Sequence, residues 1–171
     1  SLEALLEREA APLAPRRAAE IARPVALALQ AAHDAGLVHR DVKPANVLFD
    51  ATGRPVLTDF GLVRAASEAA GVTATGAFLG TAAYASPEHA VSAGEAGPAS
   101  DQFSLGIVLY RMATGRLPFA GGSPLEQLLA IQRLDPVPPS RLAAVSRDLE
   151  IVIAKALEKA PTRRYASCRD L

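Results

Sequence analysis

Four side chains that could act together in chemistry lie in two short strings of the sequence. The string HRDVKPAN contains Asp41, Lys43 and Asn46, and the string TDFG contains Asp59. We expect one tight loop to hold the first carboxylate and the amide, with the lysine between them, and a second loop to hold Asp59. Mg²⁺ prefers oxygen ligands and usually keeps substrate phosphates as co-ligands. The sequence therefore predicts a site for a magnesium-bound triphosphate.

The elements that must position these loops begin with a short β-hairpin. Two apolar runs, Val47 to Phe49 and Pro55 to Leu57, flank a turn that contains Asp50, Thr52 and Gly53. Short apolar runs around a glycine-containing turn are typical of a hairpin. Both predicted strands border the loops that carry the four side chains.

Two helices are predicted before these loops. Ser1 can cap a short first helix, and Pro15 suits the first turn of a longer one that ends at Gly36. Pro24 falls inside the second helix, where proline removes a hydrogen bond and costs about 3 kcal/mol unless the helix bends. We therefore expect either a kink or a later helix start.

Three more helices are predicted after the loops. One is apolar almost all round, is entered at Ser100 or Asp101 and is closed by Gly115. A helix with no polar face should lie in the middle of the domain. Ser123 and Ser146 are the expected caps of two further helices.

Composition and charge exclude several classes of protein. Lys plus Arg and Asp plus Glu number 18 each in 171 residues, so no basic field is present to hold a nucleic acid. Alanine supplies 36 residues, which favours closely packed helices over a β-sandwich. The single cysteine, Cys168, excludes a disulfide framework, and no apolar run approaches the length of a membrane span. We therefore expect a cytoplasmic domain without a membrane segment.

Three strings resemble, in the same order, motifs of eukaryotic-type (Hanks-type) protein kinases. HRDVKPAN, TDFG and GTAAYASPE are similar to the catalytic loop, the metal-binding loop and the end of the activation segment. DQFSLG, TGRLPF and PTRR fall where this family has its central helix, a following turn and a late arginine. The residues of these strings are most similar to those of bacterial serine/threonine kinases. The resemblance implies that residues 1–171 form the large C-terminal lobe, mainly α-helical with a small hairpin that bears the catalytic and metal-binding loops.

The resemblance implies a role for each matching residue. Asp41 would be the catalytic base, and Lys43 would neutralise the γ-phosphate of ATP during its transfer to a protein serine or threonine. Asn46 and Asp59 would hold Mg²⁺. The other implied contacts are Leu48 as the floor of the adenine pocket, Thr58 close to it, and Thr81 as a group that helps to position Asp41 and the acceptor.

Other matching residues are implied to be structural. By the same resemblance, Glu88 and Arg164 should form a buried ion pair. Breaking such a pair on one side alone costs about 3–5 kcal/mol. The implied supports of the two loops are His39, Arg40, Phe60, Gly61 and Asp101.

One arginine suggests regulation. Arg40 directly precedes the expected base, which in this family accompanies control by phosphorylation of the activation segment. Arginines can clamp the two negative charges of such a phosphate, so Arg40 and Arg64 are candidate ligands. Thr73 and Thr75 are the expected acceptors, and the alternative is that both are merely polar residues of a flexible loop.

The sequence also departs from the family. No glycine precedes Gly36 and no lysine precedes Lys43, so the glycine-rich loop and strand lysine of the N-terminal lobe are missing, and we expect the last helix to be truncated. Two hypotheses follow: a serine/threonine kinase lobe that is inactive alone, or a noncatalytic fragment or pseudokinase that binds proteins. A hydrolase triad of His33, Asp34 and Ser86 is disfavoured because no nucleophile elbow is present, and we expect His33 to be an ordinary helix-end residue.

Overall fold

The computed structural model describes residues 1–9, 11–60, 82–91 and 95–171. This part of the chain is mainly helical and contains one antiparallel pair of strands, which confirms the expected fold class. The helices are α1 (Leu2–Arg8), α2 (Pro15–Asp34), α3 (Pro87–Val91), α4 (Pro98–Thr114), α5 (Pro124–Arg133) and α6 (Arg147–Ala156), and the strands are β1 (Val47–Phe49) and β2 (Pro55–Leu57). Single 3₁₀ turns cover Pro44–Asn46, Pro139–Arg141 and Pro161–Arg163.

Helix α4 lies at the centre of the fold and packs against α2 and α6. Phe103 and Leu105 are completely buried. Gly106 lies against the end of α6, where a Cβ atom would be 2.9 Å from the Ala156 Cβ and 3.1 Å from the Leu157 Cδ2. The two helices can therefore approach closely because this position has no side chain.

The ends of α4 differ in how well the sequence predicted them. The helix begins at Pro98, so the predicted entry at Ser100 or Asp101 is wrong by two or three residues. Proline suits the first turn because no N–H is needed there, and the Ser100 Oγ accepts a hydrogen bond from the Gly97 N–H at 3.1 Å. The predicted end at Gly115 is confirmed, with a φ of 70° at that glycine.

Helix α2 leads from the start of the chain toward the string HRDVKPAN. It runs without a break from Pro15 to Asp34 with Pro24 inside it, so the alternative of a later start is wrong. Ile21 and Val25 on either side of the proline are buried against the core. Their burial offsets the hydrogen bond that the proline cannot make.

The hairpin forms at the predicted residues. Val47 lies opposite Leu57, and Leu48 lies opposite Val56. The first pair is buried in the core, whereas Leu48 and Val56 are 43 % and 45 % exposed. Gly53 occupies the turn with a φ of 80°. The hairpin therefore carries an apolar pair on its outer face.

Three helices begin at the predicted serine caps. A serine hydroxyl there accepts one of the N–H groups that a helix start leaves without a partner. The Ser1 Oγ accepts from the Ala4 N–H at 3.3 Å, the Ser123 Oγ from the Glu126 N–H at 3.3 Å, and the Ser146 Oγ from the Leu149 N–H at 3.4 Å. No helix within the described ranges combines the length and the apolarity that crossing a bilayer requires.

Candidate active site

Asp101, near the start of α4, holds the backbone of the first predicted loop. Its Oδ2 accepts the His39 N–H at 2.9 Å, and its Oδ1 accepts the Arg40 N–H at 2.8 Å. Arg40 has a φ of 69°, in a region that non-glycine residues seldom adopt. Two hydrogen bonds to a buried carboxylate stabilise this conformation. Asp101 therefore fixes the backbone immediately before Asp41.

The His39 ring joins the first loop to the second. Its Nε2 donates to the Thr58 carbonyl oxygen at 2.7 Å, and its Nδ1 accepts the Asp41 N–H at 3.3 Å. This pairing of acceptor and donor assigns the ring hydrogen to Nε2. The Phe60 ring meets the His39 ring edge-on, with 4.6 Å between the centroids. The histidine is thus a structural link between the loops.

The side chains of Asp41, Lys43 and Asn46 meet at one point. The Lys43 Nζ lies 2.7 Å from the Asp41 Oδ2. The Asn46 Nδ2 donates to the same oxygen at 3.1 Å and to the Asp41 carbonyl oxygen at 2.8 Å. The Asp41 Oδ1 is buried and has no hydrogen-bond partner in the part of the chain that the structure describes. Asp41 therefore offers one oxygen that can accept a hydrogen bond from a bound group.

The second loop is hydrogen bonded to the first. The Thr58 N–H and the Thr58 hydroxyl both donate to the Asn46 carbonyl oxygen, at 2.9 and 3.1 Å. Asp59, the next residue, is exposed and has a φ of 65°. Because the Asn46 Nδ2 is committed to Asp41, the amide oxygen of Asn46 is the atom of that side chain suited to bind a cation.

Known proteins match almost the whole of this chain. A family profile for the protein kinase domain matches residues 1–171. The chain belongs to the protein kinase family. It is 44 % identical over 162 residues to serine/threonine-protein kinase PknB of Mycobacterium leprae, and 46 % identical over 167 residues to serine/threonine-protein kinase PknL of Mycobacterium tuberculosis. These matches cover 94 % and 96 % of this chain but only 26 % and 40 % of those proteins.

The expected resemblance to bacterial serine/threonine kinases is therefore confirmed. The relatives are serine/threonine protein kinases by name, and the family generally uses ATP and Mg²⁺. The chain spans about a quarter to two fifths of the length of the curated relatives it matches.

In this kinase lobe Arg164 anchors Glu88 of α3 to the core. Its NH1 and NH2 donate to the two Glu88 carboxylate oxygens at 2.7 and 2.9 Å, and the Arg164 side chain is fully buried. Burial alone would raise the pKa of Glu88, but hydrogen bonds from Arg164 and Ser100 outweigh it and lower that pKa to about 2. The guanidinium also donates to the carbonyl oxygens of Ala99, Glu158 and Lys159.

Part of the predicted kinase site lies outside the described residues. Five predicted residues fall there: a loop support, the second phosphate ligand, the two phosphate acceptors and the group expected to position Asp41. Their roles stay predictions. These residues are Gly61, Arg64, Thr73, Thr75 and Thr81.

The expectation that His33 is an ordinary helix-end residue is wrong. Its Nε2 lies 2.7 Å from the Asp101 Oδ2, and its side chain is only 6 % exposed. Its carboxylate partner is therefore Asp101, not the Asp34 of the disfavoured triad. No local pattern could have found this contact, because the two residues are 68 positions apart in the chain.

The hydrogen bonds of Arg111 could not be predicted from the sequence either. The Arg111 NH1 and NH2 donate to the Glu3 carboxylate at 2.8 and 2.7 Å, and NH1 also donates to the Tyr84 hydroxyl. The hydrogen bonds to Glu3 raise the pKa of Arg111. This ion pair ties α1 and the segment before α3 to the central helix.

A groove of about 960 Å³ lies between α2, α6 and the last residues of the chain. Its walls are largely apolar and include Ala22, Leu27, Leu149 and Val152. None of the four predicted catalytic and metal-binding side chains lines it. The groove therefore does not belong to the candidate active site.

Proposed function

We propose that residues 1–171 are the large lobe of a serine/threonine kinase domain that transfers the γ-phosphate of Mg-ATP to serine or threonine hydroxyls of proteins. The observation that carries this proposal is the Asp41 carboxylate, with Lys43 and Asn46 on one oxygen and a buried second oxygen that has no hydrogen-bond partner among the described residues. A solvated loop carboxylate would not bury an unpaired oxygen, because that costs free energy. Membership of the protein kinase family supports the same chemistry.

Asp41 is the proposed base. Its Oδ1 would accept a hydrogen bond from the substrate hydroxyl and so aim the hydroxyl oxygen at the phosphorus atom. As the new oxygen–phosphorus bond forms, the bond from phosphorus to ADP breaks and the hydroxyl proton passes to the carboxylate. Lys43, 2.7 Å from the Asp41 Oδ2, would place its positive charge where the phosphoryl oxygens gain negative charge.

Asn46 and Asp59 are the proposed Mg²⁺ ligands. They offer an amide oxygen and a carboxylate, and the Thr58 hydrogen bonds to Asn46 hold the two loops together. Within the described ranges, no three His, Cys, Asp or Glu side chains cluster as a metal site. An amide oxygen and one carboxylate fit Mg²⁺, which is commonly bound through one or two carboxylates together with substrate phosphates. When bound, the ion neutralises phosphate charge.

The outer face of the hairpin is the proposed floor for adenine. Leu48 and Val56 are paired and nearly half exposed, and Thr58 follows the second strand. A purine ring laid on Leu48 would bury apolar surface worth about 25 cal/mol per Å². The glycine-rich loop and strand lysine that cover the nucleotide in this family are not among residues 1–171. We therefore expect this chain alone to bind nucleotide weakly and to be inactive.

The second candidate, for residues 1–171 taken by themselves, is a noncatalytic lobe that binds proteins. Positioning and charge stabilisation supply nearly all of the catalysis of phosphoryl transfer, and part of that apparatus is not in this chain. The two candidates differ in whether the complete gene product transfers phosphate.

Phosphorylation of the activation segment is the proposed regulation. The Arg40 Nε is a buried donor without a hydrogen-bond partner in the described ranges. A phosphate on Thr73 or Thr75 would supply an acceptor for it, with Arg64 as a second ligand. Mass spectrometry of the active protein should find phosphate on one of these threonines, and phosphate found only elsewhere would contradict this part.

The function is tested with the product of the whole reading frame that encodes residues 1–171. Transfer of labelled phosphate from Mg-ATP to a protein acceptor should fall about 10²–10⁴-fold in Asp41→Asn, which keeps the shape of the side chain but removes the base. Asp148→Asn, at an exposed position of α6, should leave transfer unchanged. Equal transfer by wild type and Asp41→Asn would refute the proposed role of Asp41.

The isolated 171-residue chain tests the expectation that the lobe is inactive alone. We expect no transfer from it. Turnover that disappears in Asp41→Asn would refute the expectation that the lobe is inactive alone. Protein binding without any transfer by the complete product would favour the binding module.

A further inference from the structure

A chain of hydrogen bonds runs from the C-terminal residues to the catalytic loop. The Cys168 Sγ lies 3.7 Å from the His33 Nδ1, and the His33 Nε2 lies 2.7 Å from the Asp101 Oδ2. Asp101 in turn accepts the N–H groups of His39 and Arg40. Cys168 and Asp101 are each only 1 % exposed. The His33 ring therefore joins a buried thiol to the carboxylate that holds the catalytic loop.

The direction of each bond follows from its acceptor. Asp101 accepts backbone N–H groups through both oxygens, so it also accepts from His33, whose Nε2 carries the hydrogen. The Nδ1 lone pair then faces the thiol, and Cys168 donates its S–H to it. Burial, helped by the nearby Asp101 charge, raises the pKa of Cys168 to about 12, so the thiol keeps its proton at neutral pH.

The backbone of the same cysteine is tied to α2. The Cys168 N–H donates to the Gln30 Oε1 at 2.9 Å, and the Gln30 Nε2 donates to the Asp34 Oδ1 at 2.7 Å. His33 lies on the same last turn of α2. The position of the C-terminal residues and the orientation of the His33 ring are therefore coupled.

We propose that Cys168 and His33 are positioning residues: the thiol orients the His33 ring, and the ring fixes the Asp101 carboxylate that sets the backbone before Asp41. Only the catalytic consequence rests on the proposed function, because the hydrogen bonds do not require phosphate transfer. If Cys168 only fills space, Cys168→Ala and Cys168→Ser should differ from the wild type only in packing. We call the hydrogen-bonded path from Cys168 through His33 to Asp101 the relay. It predicts that Cys168→Ser, which keeps a donor, preserves the position of the hydrogen on the His33 ring and that Cys168→Ala does not.

The first test is NMR of the 171-residue chain with ¹⁵N-labelled histidine, together with hydrogen exchange of its amides. In the wild type, His33 should carry its hydrogen on Nε2. His33→Phe should speed exchange of the His39 and Arg40 amides about tenfold, which corresponds to the loss of one hydrogen bond to a charged acceptor. His33→Gln returns a side-chain N–H donor and should restore protection.

The cysteine variants separate the relay from packing. Cys168→Ala should shift the His33 Nδ1 resonance, and Cys168→Ser should retain the wild-type pattern. Ile153→Val is the matched control, because it removes one methylene group from a buried side chain outside the relay. It should leave the His33 resonances unchanged. If the His33→Phe chain does not fold, the two cysteine variants still test the relay.

Two structural results would overturn the relay: a hydrogen on the His33 Nδ1 in the wild type, or identical His33 spectra in wild type and Cys168→Ala. In the product of the whole reading frame, Cys168→Ala should lower kcat a few-fold with an unchanged KM for ATP. An unchanged kcat there would refute the catalytic consequence. If the wild type transfers no phosphate, the proposed function fails, and the NMR result stands by itself.

Discussion

Glu88→Gln leaves the buried Arg164 guanidinium without its negative partner. In the native structure this guanidinium donates five hydrogen bonds, two of them to Glu88. Removing one member of a buried pair costs about 3–5 kcal/mol. The Glu88 pKa agrees: its decrease from 4.5 to about 2 corresponds to about 3 kcal/mol, at roughly 1.4 kcal/mol for each pKa unit. Urea denaturation at pH 7 should show this loss, and Tm should fall by roughly 6–20 °C.

The pH dependence gives an independent measurement of the same pair. Because the folded pKa of Glu88 lies below the unfolded value, its contribution is complete above pH 4.5 and is lost as pH falls toward 2. The stability of the wild type should therefore fall more steeply through that window than the stability of Glu88→Gln. The difference in the free energy of unfolding between the two proteins should shrink as the pH approaches 2.

A neighbouring arginine provides the matched control. Arg163 lies 3.9 Å from the Glu158 carboxylate, and its side chain is 75 % exposed, so Arg163→Met should cost less than about 1 kcal/mol. A Glu88→Gln protein within 1 kcal/mol of the wild type would refute the reasoning.

Three further predictions concern stability. Gly106→Ala places a methyl group 2.9 Å from the Ala156 Cβ and should lower the free energy of unfolding in urea by about 1–3 kcal/mol. Equal stability of the two proteins would mean that α4 and α6 can move apart without cost. Burial lowers the pKa of Lys159 to about 8, below its unfolded value, so stability should rise from pH 8 to 10 in the wild type relative to Lys159→Met. Glu3→Gln removes the carboxylate paired with Arg111 and should lower the free energy of unfolding by about 1–3 kcal/mol, and an unchanged value would show that the pair contributes nothing.

The features that the sequence predicted well are local ones. The hairpin forms at the predicted residues because its strands and its turn are contiguous in the chain. Ser1, Ser123 and Ser146 cap helices because a cap bonds to an N–H only three residues away. Asp41 and Asn46 meet because a short loop separates them.

The less successful predictions depended on competition between local and tertiary effects. Pro24 favoured a kink or a later start, and the later start is wrong: α2 begins at Pro15 and continues through Pro24, with the neighbouring Ile21 and Val25 buried. Ser100 marked a helix start, but its hydroxyl caps from inside the first turn while Pro98 begins the helix. In each case packing or capping outweighed the propensity of one residue.

The sequence by itself determined the family and the mainly helical lobe, because these follow from the order of short motifs and from periodicity. Only the tertiary structure decided that His33 contacts Asp101, the predicted support of the loop before Asp41, and that Cys168 lies against that histidine. These groups come from elements far apart in the chain. Their contacts arise when α2, α4 and the C-terminal residues pack, since burial forces each polar group to find a partner wherever the fold supplies one.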